Sequence, residues 1–333
     1  MNHQLLVEIT RGIDGNESVE SIHLGSIAVV DADGKLLFSA GDPDWPTFSR
    51  STIKPFQALP LVESAGLRQF GFGARELALM CASHSGEVIH VELADAILHR
   101  IGCTEGHLRC GRHLPIQYSA TDRPPPAGMT FNQLHNNCSG KHAGFLAYCV
   151  RQGDPLDDYL SPGNRLQTAI RRSLSEVCEI PVDRLRIGID GCSAPNYAMP
   201  LRNLALGYAR LARGAGALQT VFSAMTRHPE LVSGTGRSDL ELMRMAPGDW
   251  VAKGGAEGVQ LIGVRSAGLG IAIKIADGSA RAPVVAAVHA LHQLGLIGDP
   301  AGSPLSHWAR PPIVNAHGNR TGEVRPAFTL LAR

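Results

Sequence analysis

The spacing of apolar residues divides the chain into strand-rich ends and a long helical middle. Near the N-terminus, "LLVEITRG" is apolar and β-prone, and "SIAVVDADGKLLFSAG" reads as two strands joined at Asp33-Gly34, which suits a tight hairpin turn. From Ser51 onward, apolar residues recur every three to four positions, as in "RELALMCAS", "VIHVELADAILHRIG" and "LRNLALGYARLA", which predicts amphipathic helices. One short strand, "RLRIGID", is predicted within this helical region.

The strand pattern returns near Trp250. "WVAKGG", "GVQLIGVRSAG" and "LGIAIKIADG" predict successive antiparallel strands, and "PVVAAVHALHQLG" predicts a helix with an apolar face. This order predicts an α/β fold of the α+β kind, with an antiparallel sheet built from both chain ends and flanked by helices. We expect residues 1–333 to form a single unit, with a sheet lobe from approximately 1–50 and 245–333 and a mainly helical lobe, 51–244, inserted between them.

The charge balance indicates a small-molecule partner. The 333 residues include 31 Lys and Arg against 30 Asp and Glu, so no excess charge favours nucleic acid or an anionic membrane. No apolar run reaches the roughly eighteen residues that span a bilayer, and "MNHQLLVEITRG" lacks the pattern of a signal peptide. Seven scattered cysteines, an odd number, fit a reducing compartment. We therefore predict a cytoplasmic protein.

Ser51 precedes Lys54 by three residues where the helical pattern begins. Positions i and i+3 share one helix face, and a lysine with a lowered pKa can take the proton of a serine nucleophile. The structural alternative is a serine N-cap followed by a solvated lysine. "SHS" at Ser83 and "KGG" at Lys253 favour catalysis, because penicillin-recognising enzymes have S-x-x-K, a Ser-led triplet and a late Lys-Thr-Gly in this order. Neither triplet has the residues found in the penicillin-recognising enzymes. The distance from Ser51 to Ser83 along the chain is also shorter than the corresponding distance in those enzymes.

A second group of reactive side chains lies in the middle of the chain. "HNNCSGKHAGFL" places Cys138 three residues before Lys141 and four before His142, and "IGIDGCSAPNYAMP" places Asp190 two residues before Cys192. Two thiolates with a nitrogen ligand could hold zinc, although lysine must lose its proton to bind a metal. The alternative interpretation is a pair of buried cysteines beside the start of a helix.

The remaining polar segments and cysteines give weaker indications of a functional site. The segment "SGTGRSDLE" at Ser233 is rich in glycine but follows no strand in a βαβ context. It therefore favours a turn leading into a helix over a phosphate-binding loop. The other five cysteines show no repeated metal-ligand spacing: Cys81, Cys103, Cys110, Cys149 and Cys178.

Five segments, taken in order, resemble the class 3, rhizobial-type L-asparaginases: "RSTIKPFQ", "CASHSGE", "HNNCSGKHAGFL", "GIDGCSAPNYAMPL" and "KGGAEG". The resemblance runs from the first strand to the final helix. It implies a fold related to serine β-lactamases and glutaminases, hydrolysis of L-asparagine to L-aspartate and ammonia, a homodimer, and a zinc ion near the active site.

The resemblance also implies roles for particular residues. Ser51 with Lys54, and Ser83 with Lys253, would form two catalytic pairs, and Ser51 would be the nucleophile. Lys274 in "IAIKI" is a rival for the second lysine. We prefer Lys253, because its Gly-Gly neighbours would let a substrate approach the strand backbone.

Zinc is the implied cofactor, and it would bind and orient the substrate rather than supply the nucleophile. Its implied ligands are Cys138, Lys141 and Cys192. Asp190 would face the ammonium group of the substrate, Arg50 or a lysine would face its carboxylate, and His142 would line the same pocket. Two alternatives stay open. One is a glutaminase or β-lactam-directed enzyme on the same fold, and the other is a non-catalytic zinc-binding relative.

Overall fold

A computed structural model describes residues 2–12, 15–120 and 124–333. Its strands are β1 (Gln4–Arg11), β2 (Ser18–Asp31), β3 (Leu36–Ala40), β4 (Pro46–Phe48), β5 (Arg186–Ile189), β6 (Pro195–Pro200), β7 (Trp250–Gly255), β8 (Val259–Val264), β9 (Leu269–Ile275), β10 (Pro312–Val314), β11 (Arg320–Pro326) and β12 (Leu331–Ala332). Its α-helices are α1 (Lys54–Gln57), α2 (Leu59–Glu63), α3 (Gly66–Phe70), α4 (Ala74–Met80), α5 (Val88–Arg100), α6 (Ile116–Ser119), α7 (Ser139–Gln152), α8 (Arg165–Cys178), α9 (Leu201–Arg213), α10 (Ala217–Arg227), α11 (Pro229–Val232), α12 (Ser238–Met245), α13 (Pro283–Gln293) and α14 (Ser306–Ala309).

One antiparallel sheet joins the two ends of the chain. Within the described residues it has nine strands, in the order β10-β11-β1-β2-β9-β8-β7, with β3 pairing with both β2 and β12. Strand β2 lies beside β9, with Gly25 opposite Ile275 and Asp31 opposite Leu269. The predicted α+β arrangement, a sheet from both chain ends with helices inserted between, is therefore confirmed.

The centre of this sheet is covered on both faces. Successive residues Ile27, Ala28 and Val29 of β2 are all fully buried, so side chains pointing to either face lie within the core. Helix α9 packs closely against β9. A Cβ added at Gly270 would lie only 1.9 Å from Ala205 O, which shows that a side chain would not fit between them. Helix α13 packs against β8, β9 and β11. Helices α9 and α13 thus pack directly on this sheet.

A small antiparallel sheet, β4-β6-β5, lies within the helical part of the chain. The sequence pattern predicted β5 but missed β4 and β6, which are short and bounded by proline. Ser49 follows β4, and its N–H donates to Tyr197 O of β6 at 3.0 Å. The small sheet therefore fixes the backbone immediately before Ser51.

The sequence analysis assigned nothing beyond the final predicted helix. In the structure, the chain continues through β10 and β11. These strands pair with each other, and β11 also pairs with β1.

No helix of the described residues is long and apolar enough to cross a membrane. All seven cysteines are buried and free. The two-lobe division, the cytoplasmic location and the homodimer stay predictions.

Candidate active site

Ser51 lies in a short 3-10 turn, Arg50–Ile53, directly before α1. The Lys54 N–H donates to Ser51 O, which closes the turn. Side chains three residues apart eclipse one another in a 3-10 turn, so Ser51 and Lys54 leave the backbone on the same side. This agrees with the shared face that the sequence predicted.

The residue before Ser51 has an unusual backbone conformation. Arg50 is left-handed, with φ 50°, a region that non-glycine residues occupy at a cost. Its N–H donates to Asn196 Oδ1 at 3.1 Å, and the Ser49 hydroxyl donates to the same oxygen at 2.9 Å. The Asn196 side chain on β6 therefore holds the turn in this conformation and directs Ser51.

The amine of Lys54 is hydrogen-bonded to Ser83 rather than to Ser51. Lys54 is buried, and its Nζ lies 2.6 Å from Ala82 O, 3.0 Å from Ser83 Oγ and 3.5 Å from Asn137 O. Among the described residues, Ser51 Oγ has no hydrogen-bond partner. The structure thus brings Lys54 together with Ser83 and leaves the Ser51 hydroxyl free.

Lys253 is the second buried amine of the site. Its Nζ donates to Gly254 O at 2.8 Å and lies 3.5 Å from Asp239 Oδ2. Burial lowers the pKa of Lys253 to about 7, Asp239 opposes this shift, and the charge of Lys54 adds to it. In the part of the chain that is described, no hydrogen bond joins Lys253 to Ser83. Lys253 is therefore an amine that can exchange a proton near neutral pH.

Lys274, the rival for this role, lies elsewhere. Its Nζ donates to Ile275 O at 2.9 Å and to Glu257 O, and it lies 5.5 Å from the ring centre of Trp45. Strand β7, by contrast, packs against the serine turn, because a Cβ at Gly255 would lie 3.2 Å from Arg50 Cβ. Lys253 therefore belongs to the strand that packs against the serine turn, whereas Lys274 lines a neighbouring cavity.

Both serines line one cavity of about 300 Å³. Its wall also includes Asn137, Arg237 and Asp239, together with the turn between β7 and β8. The volume suits a small molecule. A larger cavity of about 470 Å³, near the C-terminal end of the chain, contains His289, His292 and Arg310 but neither serine nor lysine of the pairs.

The sequence analysis did not single out Arg237 or Asp239. Asp239 accepts hydrogen bonds from Gly254 N–H at 2.8 Å and from Gln260 Nε2 at 3.1 Å, in addition to its contact with Lys253. Both residues belong to the segment "SGTGRSDLE", and α12 begins at Ser238 as the turn-to-helix interpretation predicted. The sequence did offer one signal for these two residues, which is an arginine and an aspartate two positions apart at the start of a helix.

Arg50 and Asp190 bind each other. Arg50 Nη2 lies 2.8 Å from Asp190 Oδ1, and Nε donates to the same oxygen at 2.9 Å. Arg50 lines a neighbouring cavity of about 420 Å³, which shares Glu257 with the serine cavity. The two side chains expected to bind the charges of a substrate therefore neutralise each other outside the serine cavity.

The predicted metal ligands lie together beside this site. Lys141 Nζ lies 2.9 Å from Cys192 Sγ. The neighbouring Cys138 thiol lowers the pKa of Cys192 well below its usual value, burial opposes this, and Lys141 adds to the lowering. Cys138 directly follows Asn137, whose carbonyl faces Lys54. The thiol cluster and the serine cavity thus share one segment.

His142 completes the surroundings of this cluster. Its Nδ1 is paired with Tyr159 OH at 2.8 Å, while its Nε2 is buried without a hydrogen-bond partner. Two thiols and an orphaned imidazole nitrogen are donors that suit zinc. Burial lowers the pKa of the Lys141 amine, but Cys192 and Cys138 outweigh this and raise it above its usual value, so binding of zinc would have to displace a tightly held proton. Among the described residues, no group of three or more His, Cys, Asp or Glu side chains could hold a metal. A zinc site here would therefore require Lys141 as a ligand.

Two serines and two buried lysines around one small cavity have the composition of an acyl-transfer site. In a comparison with protein families, residues 7–326 match the family described as L-asparaginase II. The chain belongs to the L-asparaginase II family, which confirms the asparaginase resemblance and makes it an enzyme of the amidohydrolase class.

Solved structures show more distant similarities. A β-lactamase from Mycobacterium bovis is 14% identical with a TM-score of 0.40, over 82% of this chain and 95% of its own. Mglu is 18% identical with a TM-score of 0.39, over 84% of this chain and 63% of its own. A putative β-lactamase from Bacteroides dorei DSM 17855 is 12% identical with a TM-score of 0.36, over 75% of this chain and 84% of its own. A search of curated proteins found no match.

Proposed function

We propose that this enzyme hydrolyses L-asparagine to L-aspartate and ammonia through a covalent acyl-enzyme on a serine. Two serines face one cavity of about 300 Å³, a lysine lies 3.0 Å from one of them, and the chain belongs to the L-asparaginase II family. An activated serine attacks an amide carbon and divides its hydrolysis into two easier steps. This cluster is the observation on which the proposal rests.

Ser51 is the proposed nucleophile. Its hydroxyl lies on the cavity wall with no partner among the described residues, so it is free to attack the side-chain amide of the substrate. Ser83 relays the proton to Lys54, because Ser83 Oγ already lies 3.0 Å from Lys54 Nζ. Lys54 Nζ also donates to Ala82 O at 2.6 Å, which holds the amine within proton-transfer distance of Ser83.

The lysines then complete the two half-reactions. Attack gives a tetrahedral oxyanion, and the proton held by Lys54 passes to the departing nitrogen, which leaves as ammonia. Water attacks the acyl-enzyme, Lys253 takes a proton from this water, and the proton passes to the Ser51 oxygen as the acyl bond breaks and aspartate leaves. Burial lowers the pKa of Lys253 to about 7, so Lys253 can take up and release a proton near neutral pH.

The pKa of Lys253 predicts the pH profile. Its value of about 7 means that the amine is protonated and inactive below neutrality and neutral above it. We expect kcat/KM for L-asparagine to rise about tenfold per pH unit below this value and to level off above it. Steady-state assays between pH 5 and 7.5 measure this limb. A flat profile across that range would remove Lys253 from the proton transfers.

The proposal includes one zinc ion held by Cys138, Lys141 and Cys192. Bound zinc would supply a positive charge that attracts and polarises polar substrate groups. Cys138, Lys141 and Cys192 supply the donor atoms. Cys138 directly follows Asn137, whose carbonyl oxygen lies 3.5 Å from Lys54 Nζ. His142 Nε2 is a further buried nitrogen without a hydrogen-bond partner in this segment. The serine retains the chemical step.

We expect purified wild-type protein to contain about one zinc ion per chain, and Cys138→Ser and Cys192→Ser to lose it, because each removes one of three ligands. Elemental analysis measures this, with Cys178→Ser, which alters a buried cysteine elsewhere, as the matched control. Chelation should raise KM for L-asparagine more than it lowers kcat. Equal zinc in all four proteins would eliminate the site.

A substrate comparison tests the proposed function. Ammonia release is measured with L-asparagine and L-glutamine, and ring opening with a chromogenic β-lactam. We expect L-asparagine to have the highest kcat/KM, by about tenfold or more, because a site fitted to one amide distinguishes an extra methylene by roughly this factor. Preference for glutamine or the β-lactam would instead indicate another serine hydrolase, and no turnover of any substrate a non-catalytic relative.

A further inference from the structure

One wall of the serine cavity presents a guanidinium that the proposed mechanism does not use. Arg237 lies directly before α12 and lines the cavity together with Ser51 and Ser83. Its side chain is half-buried, and its Nη1 donates to Ser83 O at 2.8 Å. The cation therefore lies beside the catalytic serine segment and is partly shielded from bulk water.

The position of Arg237 is fixed by main-chain contacts. Ser83 N–H donates to Val232 O at 3.0 Å, and Ser85 N–H donates to Ser233 O at 2.8 Å, so the segment before Arg237 pairs with the segment that carries Ser83. A Cβ at Gly234 would lie 2.2 Å from Ser85 Oγ, which shows how closely the segments pack. The guanidinium is thus preorganised before any ligand enters.

Arg237 forms no ion pair among the described residues. No carboxylate oxygen of these residues lies within 4.0 Å of its guanidinium, and Asp239 and Glu87 act on its charge only from a greater distance. Glu87 accepts from Thr235 N–H at 2.8 Å, and Asp239 accepts from Gly254 N–H at 2.8 Å. Both nearby carboxylates are therefore engaged by other groups. A guanidinium has several further N–H donors, and those of Arg237 remain for a ligand.

Arg237 is the one basic side chain on the described wall of the cavity, which also includes the carboxylates of Asp239 and Glu257. Lys54 and Lys253 are buried next to this wall, so an anionic ligand group would meet its positive charge on the side of Arg237 and the serines. Arg50, the expected carboxylate partner, is paired with Asp190 and lines the neighbouring cavity instead. A substrate carboxylate in the serine cavity therefore meets Arg237 rather than Arg50.

We propose that Arg237 binds the α-carboxylate of the substrate and makes the enzyme selective for amides that carry one. The parallel N–H groups of a guanidinium match the two oxygens of a carboxylate, which fixes orientation as well as affinity. With the carboxylate anchored beside Ser83, the side-chain amide is directed toward the serines. This inference rests on the proposed function for the identity of the amide.

The test compares L-asparagine with 3-aminopropanamide, the same molecule with hydrogen in place of the α-carboxylate. We expect Arg237→Gln to lower kcat/KM for L-asparagine by about 100-fold or more, mainly through KM, because it removes a charged hydrogen-bonding partner. For 3-aminopropanamide the change should be below about threefold, because that substrate never uses the cation. Arg237→Lys should retain part of the preference, since it keeps a point charge without the bidentate geometry.

The second substrate separates binding from a structural role. If Arg237 only positioned Ser83, or if the variant misfolded, both substrates would lose the same factor, and the proposal would be overturned. Arg50→Gln is the matched control and should affect both substrates equally. A loss confined to L-asparagine in Arg50→Gln, but not in Arg237→Gln, would assign the carboxylate to Arg50 instead.

A measurement of L-aspartate binding distinguishes failure of this inference from failure of the proposed function. L-Aspartate has the same α-carboxylate, and its binding, measured by calorimetry, requires no turnover. We expect Arg237→Gln to weaken this binding by at least about tenfold. If the wild-type enzyme released no ammonia from L-asparagine, the proposed function would fail, and this difference would still support Arg237. Equal affinity in both proteins, or no binding to either, would refute the role of Arg237.

Discussion

Replacing Ser51 with alanine is expected to lower kcat for L-asparagine by about 10⁴-fold or more. The variant lacks the oxygen that forms the acyl-enzyme, and residues that act as one catalytic unit fail together. The fold should survive, because Ser51 Oγ makes no hydrogen bond among the described residues that the substitution would break. Ammonia release gives the rate, and thermal melting monitored by circular dichroism gives the stability.

Ser83→Ala is the matched comparison for Ser51→Ala. This variant removes the hydroxyl next to Lys54 but keeps the proposed nucleophile, so the loss should resemble that of one acid–base group, about 10²-fold to 10⁴-fold. Retention of more than about a tenth of wild-type turnover by Ser51→Ala would disqualify Ser51 as the nucleophile. The hydrogen bond between Lys54 and Ser83 would then assign that role to Ser83.

Lys54 substitutions are expected to have the second-largest effect. Lys54→Met removes the proton acceptor, and Lys54→Arg keeps a cation that does not release its proton, so each should lower kcat by about 10³-fold or more. Lys54→Met also leaves the buried Ala82 carbonyl without its donor, which should lower the melting temperature. Lys54→Arg keeps donors in place and so separates the loss of chemistry from the loss of stability.

Lys274→Met is the control for the lysine substitutions. Lys274 lies between Trp45 and the Glu257 carbonyl, away from the serines, and we expect kcat to change by less than about threefold. If Lys274→Met lost as much activity as Lys54→Met, the lysine assignment would be wrong. Wild-type activity in Lys54→Arg would equally contradict a role for Lys54 in proton transfer.

The sequence predicted those parts of the fold that depend on local pattern. The apolar run in "SIAVV" and the Asp33-Gly34 turn predicted the β2–β3 hairpin, and the pattern after Trp250 predicted β7, β8 and β9. Strands β4 and β6 of the small sheet were not predictable in this way. Strand β4 has three residues, and its pairing of Phe48 with Ala198 joins positions far apart in the chain. Local periodicity contains no information about such a contact.

The sequence motifs pointed to serines and lysines that lie close together in the structure, but not to their hydrogen-bond partners. The motifs that contain Ser51, Ser83, Lys54 and Lys253 do come together, since two of these residues line one cavity and the two lysines are buried behind it. The partner of Lys54, however, depends on where the segment after α4 crosses α1, and this crossing places Ser83 Oγ next to Nζ. Spacing within the chain could not show this.

Arg237 illustrates a second limit. Its segment has the composition of a turn and forms one in the structure, and α12 begins at the next residue. Its functional interest comes from main-chain pairing with Ser83 and Ser85, about 150 residues earlier in the chain. Polar residues in glycine-rich turns are therefore worth testing for contacts with distant motifs before they are assigned to the surface.

The central claim is that amide hydrolysis proceeds through an acyl-enzyme on Ser51, and rapid quenching of the enzyme with L-asparagine tests it most directly. Intact mass spectrometry followed by peptide mapping would detect a covalent aspartyl group and locate it. We predict an adduct on the peptide that contains Ser51, present in the wild-type enzyme and in Ser83→Ala but absent from Ser51→Ala. An adduct on Ser83, or full turnover of L-asparagine with no covalent adduct on either serine under conditions that trap the intermediate, would contradict the account.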